Sequence, residues 1–201
     1  MSSGFKQMLL LKIPGKQGII AESEAKPKKE GQVEEIGDIA CIKTTLLNEL
    51  KEMFSRFRLV GKAEPTDLEL GLEILQNIRS LVYENMNQLQ HEALILEVVK
   101  LLEAEFYPSI AVKWLWNPRQ TGHKDEPDLR GMDNRGQIIV SAEVTTSENP
   151  GGAIDKRMAK TLSKLSTMPG DKYYVVTSEQ MECRAKSKLY SLGYEIIILR
   201  I

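Results

Sequence analysis

Asp128 follows Pro127, and Glu143 stands inside an otherwise apolar run, QIIVSAEVT, spanning residues 137–145. A carboxylate in such a strand is costly unless it is solvated, paired or bound to a cation. The turn formers Asp133-Asn134-Arg135-Gly136 predict a hairpin between these two acids. Pairing Met132 with Gln137 sets Asp128 opposite Ser141, with Glu143 one diagonal step away on the same face. Diagonal neighbours lie about 7–8 Å apart at the backbone, a gap two carboxylates can close around one hard cation. Mg²⁺ (or Mn²⁺) takes oxygen ligands and keeps several waters. Alternation sends Ile138, Val140, Ala142 and Val144 one way and Ile139, Ser141, Glu143 and Thr145 the other.

The elements that must hold these residues follow from periodicity. Helices are expected over 45–60, over 66–86 (with Thr66 as N-cap and Glu69 closing a capping box) and over 88–106, ending near Pro108. Strands are expected at 109–116, 125–132, 137–145, 172–177 and 194–200, and helices at 152–166 and 178–191. The order from residue 88 is αβββαβαβ, which predicts an α/β fold with a central mixed sheet flanked by helices. Residues 1–87 form a strand-plus-helix appendage, suited to dimerisation or substrate recognition, and 88–201 form the core. Within the appendage, the charged stretch 22–38 reads as a solvated loop.

A helix bearing a Glu, a strand, Pro-Asp, a hydrophobic strand ending in Glu-x-Lys and a further helix make up the PD-(D/E)xK nuclease pattern. The chain resembles that superfamily through Pro127, Asp128 and Glu143, preceded by Glu92 on the third helix. The likeness covers residues 88–177. It implies a restriction-endonuclease-like fold, Mg²⁺ held by Asp128 and Glu143 with Glu92 contributing through water or a second ion, and hydrolysis of phosphodiester bonds in DNA. Thr145 stands where the family has its lysine. Some relatives supply that lysine from the next helix, and Lys156 or Lys160 is the expected replacement. The implied alternative is a nuclease-like domain without catalysis, serving as a nucleic-acid-binding or assembly module.

The helix after Pro150-Gly151-Gly152 carries Ile154, Met158, Leu162 and Leu165 as a buried stripe, with Arg157, Lys160 and Lys164 as a basic ridge beside it. Arg157 and Lys164 are candidate nucleic-acid contacts, as are Arg119, His123 and Lys124 in the loop 117–124. Each also has an ordinary reading as a solvated surface group. Glu97 rivals Glu92 on the same helix but faces elsewhere. Trp114 and Trp116 share a strand face and read as core, with base stacking the alternative.

Composition closes off other chemistries. Lys and Arg number 27 against 28 Asp and Glu, which argues against a polybasic binder. Residues 1–108 hold 13 basic and 17 acidic side chains, and residues 109–201 hold 14 and 11, so the second half is the better anion binder. Two histidines and two separated cysteines exclude a His-rich metal site and a zinc ribbon. No Walker loop, GxGxxG, GxSxG or HExxH occurs, so no nucleotide cofactor is expected. Without a signal-like or membrane-spanning run, a cytoplasmic protein is expected, with DNA as partner and a homodimer as its assembly.

Overall fold

The computed structural model describes residues 33–62, 64–79, 84–117, 123 and 125–201. They form β1 (Glu34–Glu35), α1 (Ile39–Val60), α2 (Leu68–Ile78), α3 (Glu84–Leu101), β2 (Lys113–Trp116), β3 (Leu129–Met132), β4 (Ile138–Val144), α4 (Ala153–Ser166), β5 (Asp171–Val176), α5 (Glu179–Leu192) and β6 (Ile197–Arg200). The strands make one six-stranded sheet in sequential order, antiparallel from β1 to β4 and parallel from β4 to β6. The fold is therefore α/β with a mixed open sheet.

Alternation along the strands gives the sheet two apolar faces, each covered by helices. On one side Ile95, Val98, Val99 and Leu102 pack over Leu129, Val140, Ala142, Val144 and Val175. On the other, Met158, Leu162 and Leu165 of α4 and Met181, Ala185 and Leu189 of α5 cover Tyr174 and Val176. Ile36, with Ile39, Ile42 and Leu46, joins the first of these cores, so part of the 1–87 segment is continuous with the 88–201 core. Trp114 and Trp116 are buried in the same cluster, which removes base stacking as their role.

Several local expectations are corrected. Glu34–Glu35, inside the stretch expected to be a solvated loop, pairs with β2, because Ile36 gains a buried seat by doing so. The cap of α2 is Asp67 rather than Thr66: its carboxylate accepts the Leu70 amide at 2.8 Å. The stripe Leu68, Leu72 and Leu75 faces outward on this helix, although its spacing suggests burial. The strand expected at 109–116 begins only at Lys113, since Tyr107 to Ile110 forms a turn closed by the Ile110 amide on the Tyr107 carbonyl. The expected 7–20 strands lie outside the described residues.

The hairpin register matters most for function. The loop closes at Asp133, whose amide donates to the Gln137 carbonyl, so Met132 faces Ile138 and not Gln137. A one-residue slip alone would turn the whole strand over. A bulge follows at Gly131/Met132, adding a second residue to the offset, and Leu129 then faces Ala142. Continuing that register sets Asp128 directly across from Glu143 rather than diagonal to it. The bulge also brings Ile139 against the α1/α3 core, opposite to the face expected for it.

The turn into β5 presses on β4. Gly170 has φ +76°, and a Cβ there would lie 2.4 Å from the Ile139 carbonyl carbon. Only glycine meets both demands. Ser141 Oγ donates to the neighbouring Pro169 carbonyl at 2.8 Å, tying the turn to the strand that carries Glu143.

Candidate metal and phosphate site

Asp128 lies just before β3, where its carbonyl accepts the Asn117 amide and so fixes its backbone to the end of β2. Its side chain reaches across the hairpin, and Oδ2 accepts the Val144 amide at 2.8 Å. Glu143, on β4, is buried. The two carboxylates line one cavity of about 110 Å³ at the end of the sheet, together with His91, Thr145, Arg157, Met158, Thr161 and Tyr174.

Electrostatics in this cavity are dominated by the two acids. Burial first, and then the adjacent Asp128 carboxylate, push the Glu143 carboxyl up to about 7, against the opposing pull of Lys164. Burial likewise raises the Tyr174 phenol, with the charges of Glu143 and Asp128 adding to the effect. Lys164 Nζ lies 2.7 Å from Glu143 Oε1. Its directed hydrogen bond runs instead to the Glu126 carbonyl at 2.7 Å, so Oε1 has an ionic neighbour but no aligned donor.

This donor set fits a hard divalent cation. Two carboxylates at one cavity, one with a buried oxygen lacking an aligned donor, supply anionic oxygen ligands. Among the described residues no group of three His, Cys, Asp or Glu side chains converges as a metal cage. An ion there would take its remaining ligands from water or substrate, as Mg²⁺ commonly does.

The other candidates divide cleanly. Thr145 lines the cavity beyond Glu143, and its Oγ1 accepts the Ser147 amide at 3.2 Å. Arg157 lines it from the first turns of α4. Lys156 and Lys160 are exposed and do not line the cavity. Each stands two residues from buried Met158, roughly 200° around the helix from the packed side. The α4 cation in contact with a carboxylate is Lys164, on Glu143 Oε1, although it does not itself line the cavity. Glu92 is buried and accepts a 2.8 Å hydrogen bond from Gln88, but its neighbour His91 is the α3 side chain lining the cavity.

Glu97 pairs with Lys43 in a separate, larger cleft of about 600 Å³ between α1 and α3. His123 is exposed and does not line the carboxylate cavity. Its backbone is clasped by Asn117, which accepts the His123 amide and donates to its carbonyl. Arg119 and Lys124 lie outside the described residues.

His91, Ser147, Thr161 and Tyr174 line the cavity without having been singled out from the sequence. His91 sits alone in the sequence, and the only signal for it was a polar ring at a buried helical position next to Glu92. Among the described residues no helix is long and apolar enough to cross a membrane. Compared with known protein families, curated proteins and solved structures, the chain matches none.

Proposed function

We propose that this chain is a Mg²⁺-dependent endonuclease of the PD-(D/E)xK type, hydrolysing phosphodiester bonds in DNA. The observation that carries the reading is the facing pair Asp128 and Glu143 at one cavity, with a lysine from the following helix against Glu143. Asp128 and Glu143 would hold the ion. A divalent ion bound there supplies Lewis-acid polarisation of a phosphoryl oxygen and a more acidic water. Lys164 then offsets negative charge at the carboxylates and, released toward substrate, at the scissile phosphate. It takes over the part first assigned to Lys156 or Lys160. Arg157, at the cavity rim, orients the phosphate backbone. Thr145, in the place of the family lysine, supplies only a hydroxyl, which accepts the Ser147 amide. A homodimer belongs to this reading, since cutting both strands of a duplex needs two sites related by symmetry.

The ion pair between Lys164 and Glu143 favours a second reading, in which the lysine permanently neutralises the acid and the domain only binds nucleic acid. Incubation of supercoiled plasmid with Mg²⁺ or Mn²⁺ separates the two. The nuclease reading expects metal-dependent nicking by the wild type that is abolished in Asp128→Ala. Equal products from wild type and variant, or none from either alongside retained DNA binding, would overturn it.

A further inference from the structure

His91 is 2% exposed and belongs to α3, yet its ring ends at the hairpin carboxylate. Nε2 lies 3.2 Å from the Val144 carbonyl oxygen and 3.3 Å from Asp128 Oδ2. Both neighbours are acceptors, so Nε2 must carry the hydrogen. Nδ1 is buried with no partner. A lone pair there is cheaper to leave unmatched than an N–H, which selects the same tautomer.

Val144 closes the arrangement. Its amide donates to Asp128 Oδ2 at 2.8 Å while its carbonyl takes the His91 N–H. The Val144 N–H thus holds Oδ2 directly, while the imidazole, its hydrogen given to the Val144 carbonyl, pins the neighbouring backbone and stands 3.3 Å from the same oxygen. These contacts hold Oδ2, and Oδ1 takes no part in them.

We propose that His91 is a positioning residue: it locks Asp128 in the rotamer that presents Oδ1 to a divalent cation shared with Glu143. This rests on the metal-site reading above. Outer-shell partners of this kind typically govern metal affinity by about 10–100-fold. His91 acts through Asp128 and touches neither metal nor phosphate.

The test is Mn²⁺ titration followed by electron paramagnetic resonance, on wild type and two variants checked for folding by circular dichroism. His91→Gln places an amide N–H near the position of Nε2. His91→Asn is too short to do so but stays polar. The expected result is Mn²⁺ affinity about 10–100-fold weaker for His91→Asn and within roughly threefold of wild type for His91→Gln. Wild-type affinity in His91→Asn, or equal losses in both variants, would overturn the proposal. Failure of the wild type itself to bind Mn²⁺ would instead bring down the metal-site reading, and this inference with it. A measurement on the wild type alone adds a check should a variant not fold. Long-range ¹H–¹⁵N spectra are expected to show the Nε2–H tautomer of His91, and an Nδ1–H tautomer would overturn the proposal.

Discussion

Lys164 Nζ stands 2.7 Å from Glu143 Oε1, although the two residues belong to different elements joined by the glycine-led entry to α4. The helix therefore delivers a cation to the strand carboxylate from its last turn, not its first. Lys164→Met, which keeps the stem and removes the charge, is expected to lower kcat for plasmid cleavage by about 10²–10³ with little change in KM. Lys156→Ala and Lys160→Ala are expected to stay within about threefold of wild type, as exposed groups outside the cavity. Steady-state kinetics on the three variants decide it. A large loss in Lys160→Ala with none in Lys164→Met would reverse the assignment.

Glu143 carries a second prediction through its raised pKa. Its carboxyl titrates at about 7 in the fold against 4.5 ordinarily. Between those values the folded chain holds a proton that the unfolded chain has released, so stability falls as pH rises through that window. Glu143→Gln removes the effect. In chelator, the stability gap between the variant and wild type should widen in favour of the variant by on the order of 1–3 kcal/mol from about pH 5 to about pH 8. Urea denaturation at the two pH values measures it. A gap that does not change with pH would mean that Glu143 titrates as an ordinary carboxyl.

The two helices that cover this face of the sheet are joined by Asp155, which binds Arg184 at 2.7 Å and Lys188 at 3.0 Å. Hydrogen bonds from Arg184 and then Lys188 hold its carboxyl down to about 2 from the usual 3.8. A depressed carboxylate pKa stabilises the fold above the unfolded value and loses that effect as pH falls toward the folded one. Asp155→Asn should therefore be less stable than wild type at neutral pH, with the difference shrinking on acidification between about pH 4 and about pH 2. Acid titration monitored by circular dichroism provides the comparison, and parallel curves would exclude the linkage.

Gly170→Ala tests the turn that buttresses β4. The added Cβ meets backbone atoms of Ile139 and Val140 at 2.4–2.8 Å and must also adopt φ +76°. A loss of at least about 2 kcal/mol is expected from chemical denaturation, since neither backbone can yield cheaply. A loss below about 0.5 kcal/mol, as for an ordinary surface change, would show that the turn relaxes freely.

Period-two and helical spacing made the central layers legible. β4, α4, β5 and α5 fall within a residue or two of their expected limits because the helices carry a buried stripe and the strands are apolar runs buried on both faces. The shared face of Asp128 and Glu143 was also legible, but through two offsetting departures. The hairpin closes one residue later than its turn formers suggest, and the bulge beside Gly131 adds another. Bulges leave no reliable mark in a single sequence, so the direct opposition of the acids was hidden. Lys164 was visible as part of a ridge, yet which ridge member reaches the sheet depends on how far α4 runs along it. His91 was hidden because a lone buried polar residue has no spacing signature at all. On α2, periodicity gave the right element while its apolar stripe remained exposed, so amphipathic spacing marked the helix and not its burial.

The most direct test is a crystal soaked in Mn²⁺ and examined by anomalous diffraction. The account expects one strong peak at about 2.1 Å from an oxygen of Asp128 and an oxygen of Glu143, with Lys164 Nζ withdrawn from Glu143 Oε1. A map with no peak between the two carboxylates, and Lys164 still seated on Glu143, would contradict it.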